Sequence, residues 1–328
     1  MSEYQSKKYF VAGGAGFIGS HLVNYLLDKT DGTVTVYDNF RTGQRWHYGY
    51  RLESSRLNVI EADVKDLDDL TKAMEGHDVV YHLAANSDIA SAAEEPDVDF
   101  WLGTYLTHNI LEAMRKNGLK RILFPSGSGV YGEVDPKPVP ENYDKMIPIS
   151  TYGASKLASE GLISAYAHMF DIRGTVFRFA NVVGDYQTHG VSYDFIRRLA
   201  DAPEALTIYG DGTQTKPYVH VEDVVNAFQM LEVKQEELYE VFNVGTNDYL
   251  TVHEIADIVV AKMELKDVQY NFTGGKRGWK ADVPVYSLDT SKIHSRGWLC
   301  RRNSRQAVES SVEAIIGNLK AGKFEERV

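Results

Sequence analysis

The stretch Val11-Ala12-Gly13-Gly14-Ala15-Gly16-Phe17-Ile18-Gly19 constrains this chain more than any other. An apolar run ends in glycines spaced Gly-x-x-Gly-x-x-Gly, and a helical pattern begins straight after. Glycines let a backbone turn sharply and approach a ligand closely, and a helix starting there presents free N–H groups and the positive end of its dipole. Strand, glycine turn and helix in that order suit the first βα unit of a doubly wound sheet, with a pyrophosphate on the turn. The spacing is not the familiar Gly-x-Gly-x-x-Gly fingerprint. Taken alone, the trio reads equally as a tight strand-to-helix turn, so its context decides.

That context is a repeating rhythm. Short apolar, β-branched runs recur at Tyr9–Ala12, Thr33–Tyr37, Leu57–Ile60, Asp78–Tyr81, Ile122–Phe124 and Thr175–Arg178. Their continuous apolarity predicts strands covered on both faces, as in a parallel sheet. Helical patterns lie between them, near Gly19–Leu27, Leu67–Met74, Asp97–Asn117 and Tyr152–Phe170. The alternation predicts an α/β fold, a doubly wound, Rossmann-like parallel sheet. After about Asn181 the rhythm weakens. Shorter helices near Ser192–Ala200, Val221–Leu231, Val252–Met263 and Arg305–Leu319 mix with small strands such as Leu206–Ile208. Residues 1–180 are therefore expected to form the sheet domain, and 181–328 a smaller mixed α/β lobe that takes the substrate.

Asp38 ends the second run, 19 residues beyond Gly19. A carboxylate there accepts hydrogen bonds from an adenosine ribose and repels a 2′-phosphate, which favours NAD over NADP. Arg41 pulls the other way, since a guanidinium pairs with phosphate. Asp63 and Val64 close the third run, where Asp63 either meets the adenine edge or caps the helix ahead of Leu67. The fourth run ends in His82-Leu83-Ala84-Ala85, whose small residues leave room for a cofactor over the sheet edge.

Tyr152-Gly153-Ala154-Ser155-Lys156 places a phenol and an ammonium four residues apart, on one face of a helix. A free phenol, with a pKa near 10, is a poor base at neutral pH. A neighbouring ammonium and a cationic nicotinamide ring are both expected to favour the phenolate.

These motifs, in this order, resemble the extended short-chain dehydrogenase/reductase family, in its nucleotide-sugar epimerase/dehydratase branch. The likeness spans nearly the whole chain. Gly13–Ser20 resembles the family's pyrophosphate loop, with Gly13, Gly16, Phe17, Ile18 and Gly19 at the cofactor. The segment Tyr37-Asp38-Asn39-Phe40-Arg41-Thr42-Gly43 resembles its ribose-binding stretch. In the second lobe, Asn181 in Arg178–Gly184 and Lys216 in Gly210–Val221 lie in segments similar to those that contact a sugar-nucleotide diphosphate. Arg277 and Asp282 look like the family's late Arg and Asp. The resemblance implies hydride chemistry on a sugar ring: Tyr152 takes a proton from a ring hydroxyl while NAD takes the hydride, and Lys156 holds the nicotinamide ribose. It also implies a homodimer formed through the helices near 97–117 and 152–170.

The chain departs from the family pattern in the stretch Phe124-Pro125-Ser126-Gly127-Ser128-Gly129-Val130-Tyr131-Gly132. Relatives usually carry Ser or Thr four residues before the Tyr of Val-Tyr-Gly, to bond the reacting hydroxyl. Here that residue is Gly127, flanked by Ser126 and Ser128. Ser128 is the candidate stand-in; Ser126, nearer the strand, is expected to be buried against the core or to cap a backbone group, and also counts among the substrate-binding candidates. Gly103 is a second departure, where relatives commonly have Asn near the nicotinamide end. Lys216 is a third, since many relatives have Arg there, and lysine offers a point charge rather than a fork. Family dehydratases place Asp-Glu where this chain has Ser128 and Gly129, and decarboxylases place Glu at the position of Gly129. By exclusion a 4-epimerase acting on a nucleotide-sugar, with UDP as the family's usual nucleotide, is the first expectation. A C4 dehydrogenase that releases the keto-sugar, or a non-catalytic regulator that binds NAD(H) and a nucleotide-sugar, are the alternatives.

Composition narrows the partners. A formal net charge of −11 argues against nucleic acid, whose phosphates call for a basic surface. The single cysteine, Cys300, permits no intramolecular disulfide and suits a reducing compartment. The first residues carry no apolar stretch of signal-peptide length, and no later run is long enough to span a bilayer. The expectation is a cytoplasmic enzyme with no membrane partner and no metal.

Overall fold

The computed structural model describes residues 6–135, 137–279 and 281–323. The chain packs as two compact units: Met1–Tyr131, Met146–Arg178 and Val225–Phe242 form the first, and Gly132–Lys145, Phe179–Val224 and Asn243–Val328 the second.

The first unit is built on a seven-stranded sheet. Its strands are β1 (Lys8–Ala12), β2 (Thr33–Asp38), β3 (Leu57–Glu61), β4 (Val79–His82), β5 (Arg121–Gly127), β6 (Arg173–Phe179) and a seventh, Tyr239–Val244. They lie in the order seventh-β6-β5-β4-β1-β2-β3. β1 pairs in parallel with both β2 and β4, β2 with β3, and β4 with β5. Successive residues of β1, β2 and β4 are buried, so both faces are covered. The helices α1 (Phe17–Lys29), α2 (Leu67–Ala73), α3 (Tyr105–Asn117) and α4 (Thr151–Phe170) follow the strands in turn. On one face, Phe10, Val80, Ile122 and Phe124 pack with Ile110, Leu111 and Met114 of α3. Full burial of each such side chain contributes about 1.5–3 kcal/mol. Strand order reverses between β1 and β4, and in such sheets the ligand crevice lies outside the carboxyl ends of the strands at that point.

All six expected strands and all four helices form, with ends shifted by a few residues. Three details differ. β5 does not stop near Phe124-Pro125 but runs to Gly127, because proline's fixed φ is compatible with an extended chain. The single helix expected over Asp97–Asn117 is broken by a π-helical turn at Phe100–Thr104. The seventh strand was not anticipated, since Glu240 and Asn243 interrupt its apolar run. Both are buried and satisfied: Glu240 accepts from the Glu236 N–H at 3.1 Å, and Asn243 Nδ2 donates to the carbonyls of Val139 and Asp289 at 2.8 and 3.0 Å.

In the second unit Phe195, Ile196 and Leu199 of α5 (Val191–Asp201) form a core with Leu206, Ile208, Ile255 and Val259. Val308, Val312 and Ile315 from the helix Ser304–Lys320 complete it. That helix starts at a capping box of Asn303 and Gln306. Strand Asn181–Val183 pairs in parallel with Tyr218–His220. Among the described residues no helix is long and apolar enough to cross a membrane.

Candidate active site

The glycine turn sits at the strand reversal. Gly13 has φ +76°, and a Cβ there would come within 2.4 Å of the Ala84 backbone N. The turn is thus pressed against the end of β4, where Leu83 and Ala84 N–H groups both donate to the Ala12 carbonyl, at 2.8 and 3.0 Å. Gly19 is needed for another reason: a Cβ would meet the Gly13 carbonyl at 2.3 Å, so α1 packs directly on the turn. α1 begins after Gly16 with no side-chain cap and no acidic residue in its first turn. Its leading N–H groups, at half-buried Phe17 and Ile18 and at Gly19, therefore point at whatever lies above the turn.

Asp38 is 9% exposed, and it organises this loop. Its Oδ2 accepts from Ala15 N at 2.9 Å and its Oδ1 from Phe40 N at 2.8 Å. Burial raises its pKa while those two bonds lower it. A carboxylate offers about four lone-pair sites, so two remain for a diol. Asn39 Nδ2 donates to Asp63 Oδ2 at 3.2 Å, which brings these two sequence-selected residues together. Asp63 also accepts from Lys65 N, and the α2 cap is Asp66, so the capping alternative for Asp63 is removed. Val64 is buried, with its carbonyl held by Asn109 at 3.0 Å. Ala84 and Ala85 are half-buried. The segment Arg45–Glu53, whose pattern gave no sequence signal, braces the turn from outside: Tyr48 Oη donates to the Gly14 carbonyl at 2.7 Å, and the His47 ring contacts the Ala15 carbonyl at 3.2 Å. An uncapped helix start, a glycine turn without side chains and a carboxylate at the end of β2 fit the pyrophosphate and ribose of a dinucleotide.

α4 carries the second group. Ser150 caps it by accepting from Gly153 N at 3.1 Å. Tyr152, Lys156 and Glu160 then recur every four residues along one face. Lys156 is 7% exposed; its Nζ donates to the Pro125 carbonyl at 2.8 Å and lies 5.6 Å from the centre of the Tyr152 ring. Burial lowers the Lys156 pKa to about 8, against the opposing pull of Glu160 and Asp99. Burial, then the Asp99 charge, pushes Tyr152 up to about 12. Desolvation is the larger influence and the Asp99 charge adds to it, so without a bound cofactor Tyr152 rests as the phenol. The lowering expected from the ammonium and a cationic nicotinamide together concerns the cofactor-bound site.

The stretch that departs from the family pattern is resolved in outline. Ser126 is 4% exposed and donates to Glu160 Oε1 at 2.5 Å. Glu160 is also clamped by Arg178, at 2.6 Å from Nη2, and Arg178 reaches Tyr131 Oη at 2.9 Å. Gly127 is extended, φ −158° and ψ 167°, and a Cβ on it would meet nothing within 4 Å. Ser128 opens a 3-10 turn and is half-buried.

In the second unit Asp282 gathers the late residues. It is 3% exposed; its carboxylate pairs with Lys216 Nζ and accepts from Gly278 N at 3.0 Å, while its carbonyl accepts from Arg277 Nη1 at 3.2 Å. Arg277 also pairs with Glu133. Asn181 lies beside Tyr218 in the paired strands, and its N–H donates to the Pro217 carbonyl at 3.2 Å. Among the described residues no group of His, Cys, Asp and Glu could hold a metal ion.

The profile of the NAD dependent epimerase/dehydratase family matches residues 9–245. A putative UDP-glucose 4-epimerase of Methanocaldococcus jannaschii is 32% identical over 316 residues, covering 94% of this chain and 98% of its own. The crystal structure of Thermus thermophilus UDP-glucose 4-epimerase with NAD superposes with TM-score 0.84 at 28% identity, over 94% of this chain and 99% of that one. A dTDP-glucose 4,6-dehydratase from Streptomyces venezuelae superposes with TM-score 0.89 at 26% identity, over 97% and 98% of the two chains.

Proposed function

The chain belongs to the NAD dependent epimerase/dehydratase family, and we propose that it interconverts a nucleotide-sugar at C4 through a transient 4-keto sugar, as a UDP-hexose 4-epimerase does. NAD, when bound, supplies the hydride acceptor and a positive charge beside the site. Gly13, Gly16, Phe17, Ile18 and Gly19 hold its pyrophosphate, Asp38 and Asn39 its adenosine ribose, and Asp63, Val64, Leu83, Ala84 and Ala85 border it. Tyr152 moves the proton of the C4 hydroxyl. Lys156, with its proton on, holds the nicotinamide ribose, and Ser128 bonds the reacting hydroxyl. Asn181, Lys216, Arg277 and Asp282 serve the sugar-nucleotide, with Lys216 and Arg277 as the cations for its diphosphate, whereas Ser126, buried with its hydroxyl on Glu160, supports the core instead of the substrate.

One observation carries this reading: Tyr152 and Lys156 share a face of α4, 5.6 Å from ammonium to ring, with the ammonium fastened to β5 at Pro125. A phenol held protonated at neutral pH is ready to return a proton to a keto-sugar, and must lose that proton to act as base. Ser128 and Gly129, which are not carboxylic acids, favour simple oxidation and return over elimination of water, although dehydratases are among the structural relatives. A homodimer through α3 and α4 is part of the proposal, supported by the exposed Phe100, Trp101 and Met169 on and beside those helices. So is a cytoplasmic location, supported by the lone Cys300.

The test is incubation with UDP-glucose, UDP-galactose and their N-acetyl and uronic acid relatives. The C4 epimer of one of them is expected at equilibrium with no net NADH. Free keto-sugar with stoichiometric NADH would support the dehydrogenase instead. NAD binding without turnover of any of them would support the regulator, which Gly127, standing in place of a hydroxyl residue, and Gly103, standing where relatives commonly have Asn, favour.

A further inference from the structure

Asp99 immediately precedes the π-helical turn Phe100–Thr104 and is 1% exposed. Its carboxylate is oriented from two sides: Oδ2 accepts from Thr151 Oγ1 at 2.7 Å and Oδ1 from Asn86 Nδ2 at 3.0 Å. Its carbonyl accepts from Ser155 Oγ at 2.7 Å, and that same oxygen takes the Thr104 N–H at 3.0 Å. Thr151 and Ser155 directly precede Tyr152 and Lys156. Asp99 therefore grips α4 twice, each time at the neighbour of a site residue. Gly103 permits the approach, since a Cβ there would lie 2.2 Å from Ser155 Oγ.

The charge of Asp99 has no counter-ion of its own. Both carboxylate donors are neutral, and among the described residues no cation forms an ion pair with it. Glu160 differs, because Arg178 holds it at 2.6 Å. An isolated buried carboxylate is costly unless a nearby charge offsets it, and Lys156 is the cation whose proton it favours.

We propose that Asp99 is a positioning residue of this site, which fixes the first two turns of α4 and sets a buried carboxylate without a counter-ion against them. The other groups acting on the Lys156 ammonium are accounted for. Glu160, on α4 itself, also favours the proton but is paired with Arg178. His82 on β4 feels the Lys156 charge, and burial drives its pKa to about 3, leaving it neutral. Tyr152 is neutral, and β5 contributes the Pro125 carbonyl. Removing the Asp99 charge should lower the pKa of Lys156 and of Tyr152 together, since it raises both.

The proposal rests on Tyr152 and Lys156 being the working pair, so its tests read without turnover and stand whether or not a nucleotide-sugar reacts. The pH dependence of Lys156 acetylation by acetic anhydride, followed by peptide mass spectrometry, gives its titration midpoint in the whole protein. In Asp99→Asn the midpoint should fall by about half a pH unit or more, making Lys156 roughly threefold more reactive at neutral pH. An unmoved midpoint would overturn the charge role. Thr151→Val, at an exposed position, tests the grip even if Asp99→Asn does not fold. Amide exchange over residues 152–156 should accelerate in it, with other segments unchanged. Unaltered exchange there would overturn the positioning role.

Discussion

Gly127→Ser puts the family's hydroxyl back where this chain lacks it, and the structure fixes what it should do. The backbone at 127 is already extended, at φ −158° and ψ 167°, a conformation open to any residue. A Cβ there meets nothing within 4 Å, so no neighbour has to move. The folded state is thus unstrained, while the unfolded chain loses freedom that only glycine has. That difference is worth about 0.4–1 kcal/mol in favour of the variant, an upward shift of roughly 1–3 °C in midpoint for a chain of this length. Gly13→Ala is the internal contrast. There a left-handed φ of +76° combines with contact at 2.4 Å to the Ala84 backbone, so about 2–5 kcal/mol should be lost. Thermal unfolding followed by circular dichroism reads both variants in the same buffer. Turnover of a confirmed substrate should be preserved or raised in Gly127→Ser. A midpoint lowered by several degrees would refute the reasoning, because it would mean that the space or the extended backbone at 127 is not there.

Tyr152→Phe should lower turnover by about 10²–10⁴-fold with NAD affinity retained, since it removes only the phenolic hydroxyl; a loss below tenfold in steady-state rate would remove Tyr152 from its role. Ser126→Ala deletes a donor to the buried Glu160 carboxylate and should cost about 1.5–3 kcal/mol in denaturant unfolding. Ser128→Ala should leave stability nearly unchanged and slow turnover at least several-fold, and a kinetically silent Ser128→Ala would mean that no serine partners Tyr152. Asp38→Ala should narrow the preference for NAD over NADP, measured as a ratio of dissociation constants; an unchanged ratio would count against the ribose role.

The fold was legible because its strands are covered on both faces, which leaves runs of apolar and β-branched residues such as Val34–Tyr37 and Val79–Tyr81. The seventh strand was hidden because Glu240 and Asn243 are polar residues with buried partners, a state that periodicity does not register. The site was legible where chemistry demands a spacing: glycines at a turn, a carboxylate one strand later, a phenol and an amine four residues apart. Glu160, four beyond Lys156, continues that spacing and could have been found by extending it. Asp99, Tyr48 and His47 could not. Their partners lie tens of residues away in sequence, at Thr151, Gly14 and Ala15, and only the packed chain brings them together. The raised pKa of Tyr152 was illegible for a related reason, since sequence displays neither the desolvation of the phenol nor the Asp99 charge, which lies tens of residues away.

The central claim, that hydride leaves sugar C4 and returns to the same carbon within one site, is tested most directly with UDP-glucose or UDP-galactose carrying deuterium at C4, or with whichever relative turns over. Product isolated at equilibrium should be the C4 epimer with the deuterium still on C4, and no solvent-derived hydrogen there. Loss of the label to solvent, or its recovery in free NADH alongside a released keto-sugar, would contradict it.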